Sequence, residues 1–452
     1  MPTPSHPRSI SGPINPSMMT DMYEYTMLDA TLRDGTANRD CVFEVFTRHL
    51  PEGRRYGVVA GIGRLLDELE AFHPSEADLR FLSDRHIVDK ETITWLENYH
   101  FNGTIRGYRE GEAYFPNSPI LQVEGTFGEC TLLETLILSI LNYDSAVAAA
   151  ASRMTSAAKN RPCMDMGGRR TNEWAAVAAA RASIVGGFKG TANLLAAQLY
   201  GLTAIGTAAH CFTLVHDSER AAFESQIAAL GKNTTLLVDT YNIEEAVRTA
   251  VEVAGPELGG VRIDSGDLAA LAQRVRNQLD ALGAVNTKIT VTNDLDEYAI
   301  AALQTAPVDS YGVGTQLVTG SGAPTCAMVY KLTERMGAHG AMEPVAKKSK
   351  DKATVPGHKL AFRSYEYSLA SCEHVIAGSA QALADFAPGE GWKNLLVDYV
   401  DHGQIDDQWR GHDAIINARD YHAQSLSELP ITAQSLMRGD PVIPTETTVL
   451  PQ

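Results

Sequence analysis

The chain has 452 residues, of which 38 are Lys or Arg and 55 are Asp or Glu, for a formal charge of −17, with 44% hydrophobic and 21% charged residues. That is length for one large or two ordinary domains and apolar content for a sizeable core, which excludes a disordered chain. So negative a chain disfavours nucleic acid and anionic membrane as partners, and leaves room for a small anionic substrate only where basic side chains gather locally.

The first seventeen residues are rich in Pro and Ser without an apolar run, so they read as a frayed arm and not a signal peptide. A helical stretch over 20–32, a strand over 41–47 and a short strand over 120–123 make 1–130 a segment of mixed α and β character. From Glu129 the texture changes, because Leu132, Leu133, Leu136, Ile137, Ile140 and Leu141 form the wide apolar stripe of a buried amphipathic helix. The apolar run 131–141 is too short, and too interrupted by Glu134 and Ser139, to span a bilayer. Six cysteines, at 41, 130, 163, 211, 326 and 372, form no CxxC pair and no zinc-ligand spacing with histidine. They read as free thiols of a reducing compartment, and the expected location is the cytoplasm.

Short apolar runs then alternate with helical segments. The runs are 202–205, 235–238, 260–263, 288–291 and 309–313, and the helices between them are 218–230, 243–254, 268–282 and 296–304. This βαβ rhythm predicts an α/β fold with a parallel sheet over 131–337, either a (β/α) barrel or a doubly wound open sheet. Past Gly337 the alternation stops, and a Lys-rich stretch, 347–359, leads into a weakly patterned tail within 338–452.

Parallel α/β sheets bind ligands at the carboxyl ends of their strands. Those ends carry Gly206-Thr207-Ala208-Ala209-His210, Asp239-Thr240-Tyr241-Asn242, Asp264-Ser265-Gly266-Asp267, Thr292-Asn293-Asp294 and Gly312-Val313-Gly314-Thr315. Each alone could be a helix N-cap, whereas five converging on one face predict a site. Gly312, Gly314 and Thr315 suit a phosphate cradle, and Gly186–Thr191, ahead of a helix over 192–199, suits a second anion. Asp264 and Asp267 share one turn and suit a ribose diol, Mg²⁺ or acid–base work. Arg169 and Arg170, following Met166 at the end of a strand over 162–166, suit a carboxylate or phosphate clamp, with Arg262 on the strand that leads to Asp264. His210 could act as base, metal ligand or covalent nucleophile; no ligand spacing accompanies it, so metal binding is the weakest of the three.

These residues carry a resemblance. Thr20-Asp21-Met22-Tyr23 with Thr26-Met27, Phe43-Glu44-Val45-Phe46, Gly167-Gly168-Arg169-Arg170, Gly187-Phe188-Lys189-Gly190-Thr191, Gly206-Thr207-Ala208-Ala209-His210, Arg262-Ile263-Asp264-Ser265-Gly266-Asp267-Leu268, Tyr311-Gly312-Val313-Gly314-Thr315, and Pro356-Gly357 with Lys359 occur in the order and spacing of the nicotinate phosphoribosyltransferases, among the type II phosphoribosyltransferases. The resemblance implies an irregular α/β barrel over 131–337 and an open-faced sandwich domain built from 1–130 and part of 338–452. It implies a homodimer with the active site at its interface. The reaction joins nicotinate to 5-phosphoribosyl-1-pyrophosphate, driven by ATP with Mg²⁺ present. By the same resemblance His210 is phosphorylated by ATP, Arg169 and Arg170 meet the pyridine carboxylate and the phosphates, Asp264 serves the substrate site, and Gly312 and Gly314 hold the 5′-phosphate. Tyr23 reaches into the partner subunit's site to stack on the pyridine ring.

Thr191, Ala192, Arg262, Asp267, Asn293 and Thr315 complete the expected substrate-binding set, and no residue is assigned as a resident metal ligand. Met166 stands where many relatives have an aromatic residue. Ala192 stands where nicotinamide-using relatives carry an aspartate, which would repel a carboxylate, so the acid is the expected substrate. The alternatives are nicotinamide or quinolinate as substrate, a lyase-like barrel, for which Lys288 lies at the wrong end of its strand, and a non-catalytic metabolite-binding barrel, against which His210 speaks.

Overall fold

The computed structural model describes residues 15–347 and 354–451. The Pro/Ser-rich arm up to residue 14 and the centre of the Lys-rich stretch, 348–353, lie outside the described residues.

In the strand Asp40–Thr47, every residue from Cys41 onward is buried. A strand buried on both faces needs cover on each. It lies third in a seven-stranded sheet of order Met342–Pro344, Met328–Met336, Asp40–Thr47, Leu121–Thr126, Thr104–Tyr108, Leu396–Asp401 and Gln404–Ile405, in which every pair is antiparallel. Phe43 and Val45 face a core shared with Leu28 and Leu136. On the opposite face Lys359 covers Glu44 and Gln122, its Nζ 2.5 Å from Glu44 Oε2 and its carbonyl accepting from Gln122 Nε2 at 3.0 Å. The strand Met328–Met336, placed with the 131–337 segment by the sequence pattern, thus belongs beside the N-terminal strands.

The tail is more regular than its sequence suggests. His358–Glu366 and Leu369–Gly378 form a long hairpin within a four-stranded sheet, and Gly411–Glu428 is a helix. The apolar alternation is blurred because the buried positions include Lys359, Arg363 and Glu373. Arg363 is fully buried and bonds Glu112 at 2.7 Å and Glu373 at 2.8 Å.

The helix that begins the second half runs from Glu134 to Ala158, far beyond the stripe read from the sequence, and most of it is buried inside the molecule. Past Leu141 its buried face is largely alanine. These small side chains let the Ala-rich helix Glu173–Val185 approach closely; a Cβ on Gly186 would sit 2.5 Å from that of Ala151. Ala146 lies in the core of the seven-stranded sheet, and Val147 in the other main core.

That other core surrounds a five-stranded parallel sheet of order Cys163–Asp165, Ser310–Val313, Lys288–Val291, Gly260–Ile263 and Thr235–Leu237. Beside Cys163–Asp165 the layer continues as single bridges, Asp165 to Thr191 and Thr191 to Ala204. The strand expected over 202–205 is reduced to that last bridge. Its partner segment is only as long as the run from Gly187 to the next helix, and Gly190 packs directly on Thr203 O, 2.8 Å from where its Cβ would stand. The helices Glu219–Leu230, Ile243–Ala254, Leu268–Ala281 and Glu297–Ala302 follow their strands, each capped by a side chain, from Ser218, Asn242, Asp267 and Asp296.

Candidate active site

The carboxyl ends of the parallel strands open into a cavity of about 710 Å³. Its wall includes Met166, Arg169, Arg170, Ala192, His210, Arg262, Asp264, Asn293, Gly312, Gly314 and Thr315, so eleven of the fourteen expected positions meet there. Three do not line it. Asp267 is exposed and caps the helix it precedes, accepting from Ala270 N at 3.1 Å, which is the plain role of an aspartate at that position. Thr191 is fully buried, its Oγ1 2.6 Å from Asp165 Oδ2, and acts beneath the wall. Tyr23 lies on the helix Met22–Asp34, 43% exposed, and faces Glu134.

His210 is the first residue of the short helix His210–Leu214 and follows the small residues Gly206–Ala209. Its Nε2 is 3.1 Å from Oδ1 of Asp239, whose side chain is 1% exposed against 41% for the imidazole. A carboxylate only accepts, so Nε2 carries a proton, and Nδ1 is the ring nitrogen that Asp239 does not engage. Asp239 Oδ2 accepts from Asp264 N at 2.9 Å and from Ser265 Oγ at 2.6 Å. The sequence places Asp239 at a strand end but gives no hint of its partner; only the fold brings it beneath His210.

Arg262 ties the next ends together. Its Nε donates to Thr292 Oγ1 at 3.0 Å, one terminal nitrogen to Thr207 Oγ1 at 2.9 Å, and the other to Asp264 Oδ1 at 2.9 Å. Thr292 Oγ1 also donates to Asp264 Oδ1. Partial burial works against ionisation of Asp264, yet Thr292 and Arg262 outweigh it and hold the carboxyl below its usual range. Thr207 and Thr292 are further members of the site that sequence alone left among the strand-end residues.

Gly312 is required by crowding, since a Cβ there would lie 2.6 Å from Met166 Sδ and from Thr292 Cγ2. At Gly314 a Cβ would meet nothing nearer than Met166 O at 3.7 Å, so that position is open toward the cavity. Asn293 and Asp294, which follow Thr292, take φ of 102° and 44°, a strained backbone at the cavity wall. Arg169 and Arg170 are both exposed, at a turn closed by Arg170 N on Gly167 O at 2.8 Å. The arrangement combines an imidazole held by a carboxylate, a second carboxylate kept ionised, adjacent guanidiniums and a small-residue turn, and can serve group transfer between anionic substrates.

Residues 18–142 match the model of the nicotinate phosphoribosyltransferase (NAPRTase) N-terminal domain, and residues 162–359 match that of the NAPRTase family. The nicotinate phosphoribosyltransferase pncB1 of Mycobacterium tuberculosis is 49% identical over 441 residues, 95% of each chain. The chain belongs to the nicotinate phosphoribosyltransferase family. It is therefore an enzyme, of the family that its motifs resemble. The nicotinate phosphoribosyltransferase of Bacillus subtilis is 35% identical, covering 82% of this chain and 76% of its own. The crystal structure of human nicotinic acid phosphoribosyltransferase is similar with a TM-score of 0.79 at 26% identity, over 95% of this chain and 97% of that one. The human enzyme shares its mixed α/β fold with the present chain.

Proposed function

We propose that this enzyme transfers the phosphoribosyl group of 5-phosphoribosyl-1-pyrophosphate to nicotinate, giving nicotinate mononucleotide and pyrophosphate for NAD synthesis, and that ATP drives the transfer through a phosphorylated His210. The observation that carries the coupling is the pair His210–Asp239, in which Asp239 engages Nε2 and so leaves Nδ1 as the nitrogen for attack, in a cavity lined by Arg169 and Arg170. Nδ1 attacks the γ-phosphorus of ATP, forming the N–P bond as the P–O bond to ADP breaks, while Asp239 retains the proton on Nε2. Water later cleaves the N–P bond, releasing phosphate and the neutral imidazole.

In the transfer itself the pyridine nitrogen attacks the anomeric carbon as the bond to pyrophosphate breaks. Positive character grows on the sugar and negative charge on the leaving group. Asp264 serves the first, Arg169 and Arg170 the second and the nicotinate carboxylate, and the turn Gly312–Thr315 takes the 5′-phosphate. Asp264 and Asp294 at the cavity offer hard oxygen donors, a set that fits Mg²⁺ shared with substrate phosphates, and these two would hold it. When bound it neutralises charge on the pyrophosphate.

The parallel strands with the Thr191 and Ala204 bridges are, in this reading, the staves of an irregular barrel over 131–337, and the seven-stranded sheet is the sandwich domain of 1–130 with part of 338–452. The enzyme works in the cytoplasm as a homodimer, with Tyr23 completing the partner subunit's site. The test is incubation with nicotinate, 5-phosphoribosyl-1-pyrophosphate, Mg²⁺ and ATP, with the mononucleotide followed by mass. Acid-labile phosphate is expected on the wild type and not on His210→Ala, which keeps a slow ATP-independent transfer. Full ATP-coupled turnover by that variant overturns the phosphohistidine. Mixed Tyr23→Ala and Arg170→Ala subunits should recover activity; none despite subunit exchange overturns the shared site.

A further inference from the structure

The four-stranded sheet of the tail, in the order Lys393–Asn394, His358–Glu366, Leu369–Gly378 and Thr445–Val449, contributes no residue to the cavity. It has a small apolar cluster of its own, in which Phe362, Ile376 and Leu383 are buried. Its last strand, Thr445–Val449, stands at the edge and pairs in parallel with Leu369–Gly378.

On that edge three metal-ligating side chains meet. Cys372 and His374 are two apart on one strand, so they point to the same face, and the register sets Glu446 beside His374. Cys372 Sγ is 4.0 Å from His374 Nδ1, Glu446 Oε2 is 3.9 Å from the same nitrogen, and all three donors lie within 4.8 Å of one another. The sequence spacing does not reveal this set, because Glu446 arrives from a distant strand.

The imidazole is held as a ligand would be. Its Nε2 is 3.0 Å from Ser364 Oγ, and the Trp392 ring stacks on it with centroids 3.8 Å apart and planes 7° from parallel. A partner on one ring nitrogen and a fixed ring plane aim the other nitrogen, Nδ1, at the thiol and the carboxylate.

We propose that Cys372, His374 and Glu446 bind one divalent metal ion of the borderline-soft class, Zn²⁺ foremost, with a fourth position left to water. Thiolate and imidazole donors disfavour Mg²⁺ and Ca²⁺, which take oxygen. For ligand bonds of ~2.0–2.3 Å at tetrahedral angles, the Cys372–His374 and His374–Glu446 donor pairs must each close by about 0.5 Å. Glu446, with a side chain 70% exposed, has the freedom to do so. Binding replaces the Cys372 thiol proton, which passes to solvent. The ion fastens the edge strand to the sheet, a staple suited to a unit with little apolar core.

The test uses the full chain, stripped with chelator and titrated with Co²⁺ and then Zn²⁺. One equivalent of Co²⁺ should give a near-ultraviolet thiolate band and the visible bands of a tetrahedral ion, both discharged by Zn²⁺, with a change in Trp392 fluorescence. Cys372→Ser should abolish the thiolate band, and Ser364→Ala should weaken Zn²⁺ binding ~10- to 100-fold. Glu446→Gln replaces an exposed side chain, should leave the fold intact as judged by circular dichroism, and should weaken binding at least tenfold. Cys211 is an exposed thiol near the cavity, so Cys211→Ser is titrated in parallel and should keep the band. No thiolate band in the wild type, a band lost in Cys211→Ser, or one unaltered by both Cys372→Ser and Glu446→Gln overturns the site.

Discussion

Asp239 holds His210 with one carboxylate oxygen, at 3.1 Å from Nε2, and with the other holds the amide of Asp264 at 2.9 Å. A single buried group therefore sets the tautomer of the histidine and the position of the neighbouring strand end.

Asp239→Asn keeps the shape of that group but offers Nε2 either an amide N–H or a weaker acceptor. ATP-coupled turnover should fall by about 10²- to 10⁴-fold, with loss of acid-labile phosphate, while ATP-independent transfer falls less than ~10-fold. Steady-state rates with and without ATP, with phosphate retained on the protein, check this. Coupled turnover within tenfold of wild type would remove Asp239 from the role.

The two glycines of the 312–315 turn should separate. Gly312→Ala drives its methyl into Met166 Sδ and Thr292 Cγ2, and Thr292 cannot retreat without loosening Asp264. It should cost ~1–3 kcal/mol of stability and at least tenfold in kcat/KM. Gly314→Ala has room in the fold, so its Tm should match wild type while KM for 5-phosphoribosyl-1-pyrophosphate rises. Thermal melts and kinetics of the pair decide, and equal Tm losses would contradict the assignment.

Ala192 lies at the cavity wall with its amide fixed on Asp165 O at 2.8 Å. An aspartate there would meet the pyridine carboxylate, and like charges ~4 Å apart at an effective dielectric of ~20 repel by about 4 kcal/mol before relaxation. Ala192→Asp should lose nicotinate kcat/KM by an order of magnitude or more, with little gain for nicotinamide. Unaltered nicotinate kinetics would show that residue 192 does not face the ring.

Far from the site, burial disfavours the Glu112 charge, but Arg363, Lys393, Ser425 and Tyr421 outweigh it and bring the carboxyl down from 4.5 to about 2. A depressed carboxyl stabilises the fold above its ordinary value, so this contribution, about 3 kcal/mol, is present above pH ~4.5 and is lost as pH falls toward 2. Arg363→Met leaves Glu112 and Glu373 without their shared cation and should cost ~3–5 kcal/mol at pH 6. Urea melts of both proteins should show that gap narrowing as pH falls from 5 to 3. A constant gap would rule out Glu112 as its source.

The sequence pattern was legible wherever one physical period ruled. Ile243–Ala254 begins and ends where its amphipathic spacing says, and the strand ends at His210, Asp264 and Gly312 announce the cavity by residue type. It was illegible where tertiary partners override the period. Lys359, Arg363 and Glu373 hide a hairpin because charges stand at its buried positions, and the alanines after Leu141 hide a helix because close packing leaves no apolar stripe to read. Asp267 and Asp239 are the same residue type at neighbouring strand ends, and only the geometry distinguishes the helix cap from the group beneath His210.

The helix Glu134–Ala158 passes from one hydrophobic core to the other between Ala146 and Val147. Its middle turns belong to both, so neither half can melt while leaving that helix intact. The two halves are therefore tied through one helix: separating them at residue 130 would strip one half of its central strut and expose the apolar face that this helix covers.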